Sequence, residues 1–360
     1  MSESSFLEGM GYDDFFESYR LKYFPDSIVA RVIAEYKGLY KVKNKKGEYL
    51  AKITGKQIFQ SEKREDYPAV GDWVVITLLD EENALIQKIL PRKTIVKRKY
   101  SGRNENQIIA TNIDTALIVE SLGRDYSLNR FERYFALALD SGIRPVIVLN
   151  KIDLISEIDL EEKLLELKER FQGVEIYPVS ALSGIGLNDL KSSLEIGRTY
   201  CFLGSSGVGK SSLINQLIGQ DRIKTGNISF YSDRGKHVTT SREMYFLENG
   251  AVVIDNPGMR EVGMTDTEVG VDSLFDEIKA LSKQCKFFDC THKHEPGCAV
   301  KKALEKGELD QRKYDNYMRM DKEVEYYEQT EMERKEKSKK FGKFLKNAKK
   351  DFKKYKHKDY

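Results

Sequence analysis

Three folded parts are expected from the sequence: a small N-terminal β-barrel, a central α/β domain on a largely parallel sheet, and a C-terminal helical segment organised around cysteine and histidine. Three observations predict them. Between Asp26 and Leu90, short apolar or alternating runs are separated by turn signals. From Thr115 to Ile254, apolar runs alternate with amphipathic helical patterns. Beyond these, Cys285, Cys290 and Cys298 lie close together beside His292 and His294. A chain of 360 residues also exceeds one ordinary core.

The expected boundaries are an N-terminal extension 1–24, a barrel 25–95, a linker 96–112, the α/β domain 113–270, the cysteine-bearing helical domain 271–333 and a basic tail 334–360. Residues 1–24 are acidic and aromatic, with no clear period, and receive no function. The barrel strands are Ile28–Ile33, Leu39–Val42, Tyr49–Ile53, Trp73–Leu79 and Ala84–Leu90. Five short strands in so few residues suggest a small closed barrel, OB-like or SH3-like. Lys41, Lys43, Lys45 and Lys46 cluster on one hairpin, either as an RNA contact or as a solvated face. Pro91 to Gln107 is basic and aperiodic, hence the linker.

In the α/β part the strands are Thr115–Val119, Pro145–Leu149, Val174–Val179 and Thr199–Leu203, with helices Ser127–Ser141, Ser156–Phe171, Leu187–Leu194 and Lys210–Ile218 between and after them. Apolar strands between amphipathic helices imply a parallel sheet covered on both faces. Arg242–Leu247 and Ala251–Ile254, split by Glu248-Asn249-Gly250, read as a hairpin at the sheet's edge.

Composition sets limits. Forty per cent apolar and 11% aromatic residues support a packed interior, and 32% charged residues suggest a polar arm. The arm is the tail. Arg334 to Lys358 holds 13 basic and two acidic residues, so a net charge of +3 divides into +11 there and −8 elsewhere. No run approaches membrane-spanning length, and the first residues lack the basic and apolar regions of a signal peptide, so a soluble, cytoplasmic protein without a membrane partner is expected.

The chemistry lies in short motifs. Gly204-Ser205-Ser206-Gly207-Val208-Gly209-Lys210-Ser211, followed by Ser212, matches G-x-x-x-x-G-K-[ST] between an apolar strand and a helix. In such a loop successive amides surround phosphate, Lys210 reaches the β- and γ-oxygens, and the Ser211 hydroxyl ligates Mg²⁺. Asn150-Lys151-Ile152-Asp153 follows the second strand. Its Asp153 carboxylate can accept from both the N1–H and the 2-amino group of guanine, which adenine cannot supply. Ser180-Ala181, after the third strand, can offer an amide to guanine O6. Asp255-Asn256-Pro257-Gly258 matches D-x-x-G, with Asp255 toward Mg²⁺ and the Gly258 amide toward the γ-phosphate. Upstream, in Gly235-Lys236-His237-Val238-Thr239-Thr240, a threonine can close over Mg²⁺. Thr240 is preferred to Thr239. The four strands ending at Leu149, Val179, Leu203 and Ile254 deliver their motifs at the carboxyl end, where open parallel sheets bind ligands. The base motif precedes the phosphate loop, so the domain is circularly permuted.

In this order, N-K-x-D, phosphate loop, G-x-H-x-T-T, D-x-P-G and cysteine cluster, the chain resembles the circularly permuted bacterial GTPases that act with the small ribosomal subunit, the RsgA type. The resemblance covers roughly residues 26–300. Val238 and Asn256 depart from it, standing where Thr and Thr or Ser are usual. It implies an OB barrel, a permuted P-loop GTPase domain, a C-terminal zinc domain, and GTP hydrolysis to GDP during late maturation of the 30S subunit, stimulated by the ribosome. It implies 16S rRNA as partner, a monomer, and one structural Zn²⁺ besides Mg²⁺ with GTP.

Cys285, Cys290 and Cys298 with one imidazole make a closed tetrahedral set. His292 and His294 compete for the fourth place, and the resemblance favours His292. Cys201 reads as a core residue. Met259 follows D-x-x-G where Ras-like enzymes carry a water-orienting glutamine. The resemblance points to His237 as its substitute, giving Lys210, His237 and Thr240 as the catalytic set. A P-loop kinase would not need N-K-x-D, and a non-catalytic RNA-binding zinc protein would hold nucleotide only as a ligand. The tail interleaves lysines with Phe341, Phe344, Leu345, Phe352 and Tyr355, suited to RNA. A solubilising arm or a membrane-surface helix would share that composition.

Overall fold

The structure is a computed structural model, and it describes residues 3–36, 38–55, 64–99, 106–123, 126–219, 242–255 and 268–328. Strands β1 (Ile28–Tyr36), β2 (Leu39–Asn44), β3 (Gly47–Ile53), β4 (Trp73–Leu78) and β5 (Asn83–Ile89) form the barrel. The pairing runs β1-β2-β3-β5-β4, and β4 returns to β1, so the sheet closes on itself. Alternation does the sorting: Val32, Tyr40, Val42, Val74, Ile76 and Ile86 turn inward.

The first residues, given no role from sequence, form helices α1 (Glu3–Glu8) and α2 (Asp14–Tyr23). They lay Leu7, Met10, Tyr12 and Phe16 against Trp73, Val75 and Leu90 on the barrel's outer wall. Tyr12 meets the Trp73 ring edge-on, with ring centres 4.7 Å apart. The stretch read as a linker is a two-stranded ribbon, β6 (Ile95–Lys99) against β7 (Asn106–Thr111). Its Lys97-Arg98-Lys99 run hides the strand pattern, but Val96, Ile108, Ile109 and Ala110 are buried.

The central sheet consists of β8 (Thr115–Ser121), β9 (Arg144–Asn150), β10 (Ile176–Pro178), β11 (Thr199–Leu203) and β13 (Val252–Asp255), all parallel, with β12 (Arg242–Phe246) antiparallel to β13. Their order is β10-β9-β8-β11-β13-β12. Helices α3 (Leu128–Asp140), α4 (Glu157–Arg170), α5 (Leu187–Ser193) and α6 (Lys210–Ile218) accompany it. The hairpin expected at the edge is internal. Strand β12 pairs with β1 of the barrel, Ala34 opposite Glu243 and Glu35 opposite Arg242, so among the described residues barrel and central sheet form one sheet of 11 strands. The barrel thereby covers backbone groups that an edge would leave open.

Arg31 of β1 fixes this junction. Its buried guanidinium donates to the carbonyls of Met10, Gly71 and Asn112 and, at 2.9 Å, to Thr199 Oγ1, and it stacks over Trp73. One side chain thus ties the N-terminal segment, barrel, ribbon end and central sheet. The C-terminal helices are α7 (Glu268–Leu274), α8 (Asp276–Ser282), α9 (Ala299–Glu305) and α10 (Gln311–Glu328). Helix α7 approaches α3 so closely that a Cβ on Gly270 would lie 2.0 Å from the Ala136 carbonyl oxygen. Buried Glu132 of α3 accepts from Arg170 and from Asn316 of α10. Among the described residues, no helix is long and apolar enough to cross a membrane.

Candidate nucleotide site and metal centre

The phosphate loop begins where β11 ends. Gly204 lies so near β8 that a Cβ would stand 2.2 Å from the Val119 oxygen. Gly209, at φ +97°, would put one 2.3 Å from Asn150 Nδ2. Only glycine fits there, and the loop then opens directly into α6, whose first turn carries Lys210, Ser211 and Ser212. Lys210 Nζ donates to the carbonyls of Gly204 and Ser205 at 2.6 Å each, which holds the ammonium at the loop. Ser205 also hydrogen-bonds the hydroxyl of Tyr134 on α3.

The base motif is tied to the same loop. Asn150, last in β9 and buried, donates to the Val208 carbonyl at 2.8 Å and accepts from the Ala181 amide at 3.1 Å. Lys151 adopts a left-handed backbone, φ 62°, and its ammonium reaches the Gly207 carbonyl at 2.7 Å. Asp153, in the turn Ile152–Leu154, accepts from Ser180 Oγ at 2.5 Å. Asn150, Lys151, Asp153 and Ala181 border a cavity of about 350 Å³ whose wall also includes Gly209 and Ser212. Leu154 and Leu182, 63% and 87% exposed, add to its lining apolar surface suited to the faces of a purine. Sequence reading missed both leucines. Their place directly after N-K-x-D and Ser180-Ala181 is the one signal they carry. A larger cavity of about 810 Å³ lies under the N-terminal helices and contains none of the motif residues.

Asp255 ends β13, beside the loop. Burial raises its pKa, the Lys210 cation opposes that rise, and the Glu243 carboxylate adds to it. With the Ser211 hydroxyl it offers hard oxygen donors next to a phosphate cradle, a set suited to Mg²⁺. The structure therefore brings together Asn150, Lys151, Ile152, Asp153, Ser180, Ala181, the loop Gly204–Ser212 and Asp255. His237, Thr239, Thr240, Gly258 and Met259 lie outside the described residues.

Cys285, Cys290, His292 and Cys298 place their ligand atoms within 4.8 Å of one another. His292 Nδ1 is 3.6 Å from Cys285 Sγ and 3.5 Å from Cys298 Sγ, while the two sulfurs are 3.9 Å apart. A tetrahedral ion with metal–sulfur arms of about 2.3 Å has edges of about 3.8 Å, so the spacing fits a four-coordinate metal. The amides of Ala299 and Lys301 donate to Cys285 Sγ and Cys298 Sγ at 3.4 Å, which favours thiolates. His292 has a left-handed backbone, φ 61°, and its carbonyl accepts from Tyr314 at 2.8 Å. Glu295 caps the loop through the amides of Thr291, Lys293 and His294, and His294 is not in the cluster.

The RsgA GTPase family model matches residues 89–265. The small ribosomal subunit biogenesis GTPase RsgA 2 of Lactiplantibacillus plantarum is 42% identical over 299 residues, covering 83% of this chain and 84% of that protein. The chain belongs to the RsgA GTPase family. RsgA 1 of Listeria innocua is 41% identical over 89% of this chain and 90% of its own. Among solved structures, YjeQ from Thermotoga maritima matches with a TM-score of 0.60 at 29% identity, over 81% of this chain and 96% of that one. YloQ, described as a circularly permuted GTPase, gives 0.58 at 25%, over 86% and 98%. An ABC transporter model also matches residues 187–357, a span that includes the phosphate loop common to P-loop NTPases but not Asn150–Asp153. RsgA membership accounts for the permuted order, the closed five-stranded barrel and the cysteine cluster together.

Proposed function

We propose that this RsgA-family enzyme hydrolyses GTP to GDP and phosphate in complex with the small ribosomal subunit during late maturation. The observation that carries this reading is Asn150, whose one amide holds the base loop at Ala181 and the phosphate loop at Val208, placing guanine and phosphate sites at a fixed separation. Asp153 selects the base. Loop amides and Lys210 bind the β- and γ-phosphates, and Ser211, Asp255 and Thr240 would hold Mg²⁺. The ion supplies charge neutralisation on the phosphate oxygens when bound. Water attacks the γ-phosphorus in line, the bond to the bridging oxygen breaks, and Lys210 stabilises the charge left on GDP. The thioether of Met259 cannot orient that water, so His237 does so in the ribosome-bound enzyme. The Gly258 amide senses the γ-phosphate.

Cys285, Cys290, His292 and Cys298 hold one Zn²⁺. Four protein ligands leave no position for a reacting water, so its role is structural. The barrel lysines and the 334–360 tail, the latter outside the described residues, contact 16S rRNA. The enzyme acts as a cytoplasmic monomer.

The reading is tested at Asp153. Asp153→Asn replaces an acceptor oxygen by a donor and should cost GTP about 1–3 kcal/mol while improving xanthosine triphosphate binding. Unchanged guanine preference in a competition titration contradicts the base assignment.

A further inference from the structure

Between Cys285 and Cys290 the chain carries two adjacent phenylalanines, Phe287 and Phe288. Phe287 is 41% exposed and Phe288 fully so, at 109%. The loop that presents them is tied down on both sides: the flanking cysteines belong to the cluster, and the Lys286 amide donates to the Gly297 carbonyl at 3.1 Å. The Lys286 stem lies 3.0 Å from where a Cβ on Gly297 would stand, and its ammonium sits 5.5 Å from the centre of the Phe287 ring. Aromatic rings and a cation are thus held side by side.

Gly297 also lines a groove of about 800 Å³, where Lys301 and Lys302 of α9 meet Lys306 and His294, the histidine outside the cluster. Among its carboxylates, Glu295 is occupied in capping the loop and Glu308 pairs with Lys306 at 3.3 Å. Across residues 279–306, seven lysines stand against Asp289, Glu295 and Glu305, a net charge of +4 in a body that carries −8 outside the tail. The pattern separates two kinds of partner. A protein socket takes an aromatic side chain whose surroundings are apolar as well, because the centre of such an interface is depleted of charge. Phe288 has Phe287 beside it, but Lys286 and Asp289 flank the pair. A bare ring among cations instead suits an unpaired base on its face and phosphates on the lysines.

We propose that Phe288 is a stacking platform for an unpaired RNA base, with the phosphates of that strand on Lys286 and along the groove at Lys302. It gives the cysteine domain a single-strand contact of its own, different in kind from the charge contacts of the barrel lysines and the tail. This inference rests on the reading of rRNA as partner.

The test is a titration of the full chain against a dye-labelled single-stranded RNA of about 12 nucleotides, a duplex of the same length, and purified small ribosomal subunits. Phe288→Ala should weaken binding of the single strand and of the subunits by about fivefold or more, and of the duplex by less than about twofold. Phe288→Trp should bind as the unmodified protein does, and its indole fluorescence should be quenched by the strand. Phe288→Leu keeps apolar bulk without an aromatic face, and should lose as much as Phe288→Ala. Because the side chain is fully exposed, all three variants should keep the thermal midpoint of the unmodified protein. An affinity of Phe288→Ala unchanged for the strand or for the subunits overturns the proposal. So does full affinity in Phe288→Leu, which would mark a protein socket. The parent reading fails separately, through small subunits that the unmodified chain does not bind at all.

Discussion

Gly209 illustrates what the sequence shows at single positions and what it omits. The motif names the glycine, but the reason is the Asn150 amide 2.3 Å from where its Cβ would stand. Gly207 also has positive φ, 83°, yet nothing lies within 4 Å of its would-be Cβ. The two should therefore respond differently to alanine. Gly209→Ala must displace the Asn150 bridge as well as bear backbone strain, and should weaken GTP and GDP alike by about 2–4 kcal/mol, whereas Gly207→Ala should lose about 1 kcal/mol. Calorimetric titration of both nucleotides checks this, and equal losses would remove the bridge from the account. Asp153, Lys210 and Asp255 were legible because their chemistry fixes both residue type and spacing. Leu154 and Leu182 were not, since an exposed leucine after a turn has no periodic or chemical mark. Spacing alone leaves His292 and His294 open, and the choice of His292 comes from the family resemblance; the structure brings the His292 ring, and not His294, to the sulfurs.

At the scale of elements, alternation found the strands but does not show what covers their outer faces. Arg31 sits between inward Ala30 and Val32, so a barrel reading sends it to solvent. The structure puts it at 1% exposure instead, because the outer wall of β1 is covered by the N-terminal helices and the central sheet. Burial lowers its pKa to about 10, which leaves it charged at neutral pH and in need of its acceptors. Arg31→Met keeps much of the volume but strands Met10, Asn112 and Thr199 without their donor. It should cost about 3–5 kcal/mol and loosen the barrel from the central sheet. Urea unfolding should show the loss, together with faster proteolysis within residues 90–112. A fully stable variant with an intact junction would contradict the role given to Arg31. The ribbon β6–β7 escaped notice for a related reason, since its basic residues conceal the buried Val96 and Ile108.

Across the whole molecule, motif order was readable without coordinates, and so was permutation, because a base clamp ahead of a phosphate loop on consecutive parallel strands has no other arrangement. Continuity was not readable. No local pattern announces that β12, expected at an edge, continues into the barrel, since strand partners from distant sequence leave no periodic trace. That continuity places the barrel, the nucleotide site and, through Gly270 and Glu132, the cysteine domain in one packed body. Such a body suits the proposed dependence of turnover on a large partner. Phosphate release from GTP by the full chain, with and without purified small ribosomal subunits and with ATP as control, tests this most directly. Slow turnover alone, a rise of about tenfold or more with small subunits, and none with ATP are expected. Turnover that small subunits leave unchanged, or that ATP supports equally, would contradict it.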